Sequence, residues 1–227
     1  MPDIYVTKDA TLQKYGIFSW ATARAAAVGS MNTISSGIYI HTLNTSGRGS
    51  IVTLLNRFFM EIDTSGISVA PASASLRLYG HNSAATSLIA VRSTLVAATD
   101  GGMTGDTYND IYNSSTELAA SDGSGAGTLA GVSGLTYSSA TTSWSTSGYN
   151  TIPLNATALA DIASVDKFKV CIMSYTYDYL DIISVGTDER SGLYTDAYTG
   201  TSRDPYLKYT AGTAVAADNS VFFGCNF

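Results

Sequence analysis

Between Arg57 and Tyr79 the chain reads as two alternating strands joined by a polar turn, and no other stretch limits the fold as tightly. Phe58, Met60 and Ile62 fall on one side of the first half, and Ala74, Leu76 and Leu78 repeat the pattern in the second. Side chains two apart in a strand share a face, so each half sets an apolar stripe on a core and a polar stripe towards solvent or a partner. Asp63-Thr64-Ser65-Gly66 and Pro71 provide the turn chemistry between them.

The same period-two texture recurs along the chain. Strands are expected at residues 4–6, 37–43, 51–63, 74–79, 87–96, 150–154, 167–175, 179–185, 190–194 and 206–209. Pro205 opens the last of these, a position a strand tolerates. An Ala-rich stretch at residues 20–28 has room for one or two helical turns. Asn155 and Thr157 are candidate caps for a helical turn in which Leu159 and Ile162 lie three apart. Residues 99–147 are rich in Gly, Ser, Thr, Asn and Asp, with isolated anchors at Tyr108, Ile111, Tyr112, Leu118, Leu135, Tyr137 and Trp144. They read as a set of loops and short strands, the kind of region that often carries function. The expected fold is all-β: an antiparallel, jelly-roll-like β-sandwich over residues 36–210. An N-terminal arm or contact segment at residues 1–35 precedes it, and an apolar C-terminal tail at residues 211–227 follows.

Composition narrows the function classes. Only 13% of the 227 residues are charged while 45% are hydrophobic, so polarity rests on hydroxyls and amides and a sizeable core is available. The net charge is −6, and the twelve Lys and Arg are scattered. Nucleic acid is therefore not an expected partner, because affinity for phosphates is built from several clustered cations. No apolar run reaches the length of a membrane span, about 18 residues. The first residues lack the basic and apolar segments of a secretory signal. That leads to the expectation of a chain made in a host cytoplasm and carried outside by lysis, as a virus particle is. Two cysteines, Cys171 and Cys225, are too few for a disulfide scaffold or a closed zinc site. Two free thiols and a bridge stapling the tail both remain open.

Catalytic chemistry is thinly supplied. The two histidines, His41 in a strand and His81 in a turn, have no partner nearby in sequence, and no nucleophile elbow, phosphate loop or zinc helix occurs. No enzyme and no resident cofactor are expected. Calcium is the one ion that loop carboxylates could hold, at Asp178 with Asp181, at Asp188-Glu189, or at Asp106 with Asp110. Solvated loop acids are the simpler account. Aromatic residues are the better binding candidates. Tyr175, Tyr177 and Tyr179 alternate, with Trp144, Tyr194 and Tyr198 in neighbouring polar segments. Such a row can stack on sugar rings, fill a protein–protein interface, or pack under loops. Phe222, Phe223 and Phe227 make the tail too apolar for a free end, so they are further contact candidates.

Four segments, in order, resemble DNRLRE-type modules and their carbohydrate-binding-module-like relatives. They are Arg57-Phe58-Phe59-Met60-Glu61-Ile62-Asp63-Thr64-Ser65-Gly66-Ile67, then Ala72-Ser73-Ala74-Ser75-Leu76-Arg77-Leu78-Tyr79. Ile152-Pro153-Leu154-Asn155-Ala156-Thr157-Ala158-Leu159 and Ser202-Arg203-Asp204-Pro205-Tyr206-Leu207-Lys208-Tyr209 follow. Ile62 stands where the family usually has an aromatic residue, and Ala158 where it has glycine. The resemblance covers about residues 37–210 and implies a jelly-roll sandwich used for binding or particle construction, with no active site. These modules occur in secreted microbial proteins and in phage virions. The expectation is therefore a capsid decoration (cement) protein on the virion surface. Its partners would be the major capsid protein or other virion proteins, and it would assemble as a homo-oligomer such as a trimer. The alternative is a carbohydrate-binding module on a tail or appendage that recognises host glycans.

Overall fold

A computed structural model describes residues 2–32, 37–47, 50–85, 87–94 and 108–213. Among the described residues ten strands form one continuous antiparallel network: β1 (Asp3–Gly16), β2 (Ser30–Asn32), β3 (Gly37–Gly47), β4 (Ser50–Asp63), β5 (Ser73–Ala84), β6 (Leu88–Arg92), β7 (Tyr149–Pro153), β8 (Lys167–Ser174), β9 (Thr187–Tyr194) and β10 (Tyr206–Thr210). The expected all-β antiparallel sandwich is what the chain forms. Its ladders run β1-β10-β5-β9-β3-β4, and β4 pairs back onto β1, so the two sheets are joined at their margins. β8 and β6 extend the sheet beyond β4, and β7 borders β5.

The first core lies between the sheets. Ile38 and Ile40 from β3, Phe58, Met60 and Ile62 from β4, Leu76 and Leu78 from β5, Phe168, Val170 and Ile172 from β8, Leu193 and Leu207 all meet there. The turn after β4 forms as the sequence suggests: Asp63 Oδ1 accepts from both the backbone N–H and the hydroxyl of Ser65. A helix, α1 (Trp20–Arg24), follows β1, and two more, α2 (Ser115–Ala119) and α3 (Ala156–Ser164), follow later. α3 begins at Asn155, whose side chain accepts from the backbone N–H of Ala158, a regular N-cap.

Three expectations are revised. The segment expected as an N-terminal arm or contact segment is woven into the sheet. Residues 3–5 of β1 pair with β10, and after a bulge at Val6–Lys8 residues 8–16 pair with β4. The bulge lets the strand pass from one sheet to the other. Secondly, the polar stripe expected on β4 does not face solvent. Arg57, Phe59 and Glu61 are as buried as Phe58 and Met60. A second core covers them: Leu12, Leu55, Phe59, Ile89, Val91, Cys171 and Met173 from the sheet meet Trp20, Tyr108, Ile111, Leu118, Leu129, Leu135 and Tyr179 from a capping layer. Much of the loop-rich region after residue 107 belongs to that layer, and its aromatic and aliphatic anchors are what hold it down. Thirdly, residues 179–185 are not a strand. Tyr175–Tyr179 close a π-helical turn and the chain then loops to β9.

Candidate interaction face

The sandwich has two outer faces, and the chain treats them differently. The face of β1, β4, β8 and β6 is sealed by the capping layer, and the seal is ionic at its centre. Asp178 accepts from Arg57 through two parallel bonds, Nε to Oδ2 at 2.7 Å and Nη2 to Oδ1 at 2.8 Å, and from Arg24 Nε at 3.2 Å. All three side chains are fully buried. Burial alone raises the Asp178 carboxyl, but the charge and hydrogen bonds of Arg57, then those of Arg24, hold it below the usual carboxylate range. Arg57 is held above its ordinary value despite burial, by Asp178. Burial lowers Arg24, whose contact with the carboxylate is longer. Asp181 sits beside them in a left-handed conformation (φ 61°). It accepts from Trp20 Nε1 at 2.8 Å and from the backbone N–H groups of Gly127 and Asp122. The two carboxylates considered for calcium are thus the counter-ions of buried arginines. Of the other acids, Asp188 takes His41 Nε2 at 2.8 Å. Asp106 lies outside the described residues. Among the described residues no group of three or more His, Cys, Asp or Glu is arranged to hold a metal. Cys171 is a buried free thiol, raised by its burial, and Cys225 lies outside the described residues.

The opposite face, formed by β3, β9, β5, β7 and β10 with the start of β1, carries no covering layer among the described residues. Along β5 the alternation is clean: Leu76 and Leu78 point into the core, while Arg77, Tyr79 and His81 point outward and are half-buried. His81 therefore belongs to a strand and not to a turn. Its neighbours present the same chemistry. Ring contacts link Tyr5, Tyr206, Tyr149, Tyr79, Tyr194 and Tyr198 in one chain, at centroid distances of 5.0–5.7 Å. His81 joins it at Tyr194, 4.9 Å away, and Tyr39 continues it from His81. Arg203 lies over three of these rings, Tyr79, Tyr194 and Tyr198, at 4.6–5.2 Å, and its Nη1 donates to the Tyr194 hydroxyl at 2.6 Å. Arg77 approaches Tyr149, and Arg190 covers Tyr39. Burial, then the adjoining Tyr206, pushes the Tyr149 hydroxyl up to about 12. Burial, then Arg203, lowers the His81 imidazole, which favours its neutral form.

The residues singled out in the sequence separate here. Tyr194 and Tyr198 lie in this aromatic chain. Trp144 does not: it is buried, and its indole N–H donates to the Gly192 carbonyl at 2.9 Å. Tyr175 and Tyr179 stack on each other at the second core, where Tyr179 shares a hydrogen bond with Thr136. Tyr177 is half-buried on the π-helical turn, its hydroxyl pushed up to about 12 by burial and then Glu189. The three do not alternate along a strand. Phe222, Phe223 and Phe227 lie outside the described residues. Tyr5, Tyr39, Tyr79, Tyr149, Tyr206, Arg77 and Arg203 join Tyr194 and Tyr198 on this face, and nothing in their immediate sequence sets them apart. The signal that marks them is the outward register of neighbouring strands, with Tyr79 opposite Tyr149 and Tyr5 opposite Tyr206.

Rings meet at 47–79° to one another, so the face offers no coplanar shelf, and Arg203 already occupies ring faces. A pyranose needs an open ring face to stack on, and a protein surface does not. Elsewhere, a cavity of about 420 Å³ is lined by Arg92, Tyr137, Asp161 and Lys169. Its carboxylate is already engaged, by the Tyr137 hydroxyl at 2.5 Å and by Arg92 at 3.3 Å. A scan against models of known protein families matches none, and a search of curated proteins finds no relative.

Proposed function

We propose that this chain is a non-catalytic structural protein of a phage virion, a decoration (cement) subunit on the head that works by protein–protein contact. One observation carries the contact reading. The chain seals one outer face of its sandwich with its own capping layer and leaves on the other a connected surface of tyrosine and arginine. Tyr and Arg are enriched in the centres of interfaces, where they combine apolar area with a polar handle at modest entropic cost. The resemblance to DNRLRE-type modules supplies the virion setting, and a homo-oligomer such as a trimer suits a site where capsid subunits meet. Cryo-electron microscopy of virions that carry the chain provides the test. The expected result is a lattice position on the head, with β5, β9 and β10 turned to a neighbouring protein. A place on the tail, or a head position with that face bare to solvent, overturns the proposal.

A further inference from the structure

We propose that the partner surface taken by the aromatic face is acidic: a protein segment whose Asp or Glu carboxylates seat on Arg203 and Arg77. This deepens the contact reading above and rests on it. Three observations converge. The Arg203 guanidinium is oriented by three tyrosine rings and by its bond to the Tyr194 hydroxyl. A guanidinium held that way is prepared for a planar, two-pronged bond to a carboxylate, with less side-chain entropy left to lose.

The second observation is buried polar atoms without partners. Arg77 Nη1 bonds to Thr151 Oγ1, yet its Nε is buried with no hydrogen-bond partner among the described residues, and His81 Nδ1 is in the same state. Buried polar atoms are nearly always paired, and an unpaired donor costs free energy until an acceptor arrives. Both residues lie on β5, two register positions either side of Tyr79, in the middle of the ring chain.

The third is charge. The chain as a whole carries −6. Arg77, Arg190, Arg203 and Lys208 nevertheless gather on or beside this face. Of the carboxylates there, Asp188 is engaged by His41, Asp9 accepts from the Asp196 backbone N–H, and burial raises both Asp9 and Asp204, which leaves Asp3 at the margin and Asp196 on the loop after β9. Opposite charge across an interface steers the encounter and fixes register. Binding of poly-L-glutamate to the full chain, followed by fluorescence anisotropy at low salt, reads this out directly. The expected result is saturable binding in spite of the protein's own net negative charge. Arg203→Gln and Arg77→Gln should each weaken it about ten-fold, the loss expected for one charge-assisted hydrogen bond, with the β-sheet circular dichroism spectrum retained. No binding, or binding that neither substitution weakens, overturns the proposal. Tighter binding of heparin or of oligo-dT than of poly-L-glutamate also overturns it, moving the face to an anionic glycan or a nucleic acid. If virions carry the chain with this face against a neighbour while poly-L-glutamate binding fails, only the acidic character of the partner falls. If the face is bare in the virion, the contact reading falls with it.

Discussion

Asp178→Asn removes the carboxylate that Arg57 and Arg24 share in the sealed face. The substitution keeps the shape of the side chain and takes away the charge. Two guanidinium groups then remain, with Asp181 as the nearby counter-charge, 3.6 Å from Arg24 Nη1. Arg57 loses both bonds of its paired contact in a site with no solvent access. Removing one partner of a buried ion pair costs about 3–5 kcal/mol, most of it the penalty of the charge left behind. For a domain of this size each kcal/mol lowers Tm by about 2–4 °C, so the melt should fall by roughly 6–20 °C. Urea unfolding followed by tryptophan emission suits the assay, because Trp20 bonds to Asp181 inside the cluster. Two controls sharpen it. The double variant Arg57→Met with Asp178→Leu should recover much of the loss, since an apolar pair can replace a buried ion pair at little cost. The pH profile has a fixed sign. The Asp178 carboxyl is depressed in the fold, so its contribution is complete above the unfolded value, about 3.9, and is lost as pH falls through the folded one. The gap between wild type and Asp178→Asn should be level from pH 5 to pH 8 and narrow below pH 4. A loss under about 1 kcal/mol, or a double variant less stable than the single one, would refute the reasoning.

Asp9, where β1 has just crossed between sheets, is raised to about 8 by burial and then by the adjacent charge of Asp196, whose backbone N–H it accepts at 2.9 Å. A raised carboxyl favours the fold below its unfolded value, 3.8, and that advantage is lost as pH climbs to 8, so Asp9→Asn should gain on wild type across this window. Melts at pH 4, 6 and 8 with a constant difference between the two would contradict this. Gly192→Ala would place a Cβ 1.8 Å from the His81 carbonyl oxygen, backbone against backbone, so β9 must part from β5 beneath the aromatic chain. The expected cost is about 1–3 kcal/mol with a red-shifted Trp144 emission, because Trp144 loses its hold on the Gly192 carbonyl; an unchanged melt and spectrum would exclude it.

Local patterning made β5 and β8 easy to read, and for one reason. Each has core residues in strict alternation, as at Leu76 and Leu78 or Phe168, Val170 and Ile172, so period two alone identifies them. β4 carries the same pattern but different surroundings. Nothing local distinguishes an Arg57 that points to water from one that neutralises Asp178 across 121 residues of sequence. The capping layer was illegible for the same reason. Its anchors Tyr108, Leu118 and Leu135 are separated by polar stretches with no period, and what they share is a destination on the sheet. Tyrosine density was also a poor guide. The dense run from Tyr175 to Tyr179 is spent on a π-helical turn, whereas the connected face collects single tyrosines from six strands and the loop between β9 and β10. Finding it requires the strand order, and strand order is a long-range property that one sequence does not display.

The contrast between the two outer faces has a further consequence for the proposed contact role. Outward positions of β1, β4, β6 and β8 are filled by Leu12, Leu55, Phe59, Ile89, Val91, Cys171 and Met173, side chains that water solvates poorly, and the chain covers them itself. Outward positions on the other sheet are filled by Tyr, Arg and His, which tolerate both states. A tyrosine can lie half-wet with its hydroxyl bonded, as Tyr79 donates to the Ser147 carbonyl and Tyr149 to that of Asp204. It can also be buried later without breaking those bonds. A surface of that composition is compatible with water and still yields apolar area when another surface covers it. Replacing these tyrosines by Leu would trade the first property for the second, which is why a face of phenolic rings, and not an aliphatic one, fits a subunit that is made free and docks afterwards.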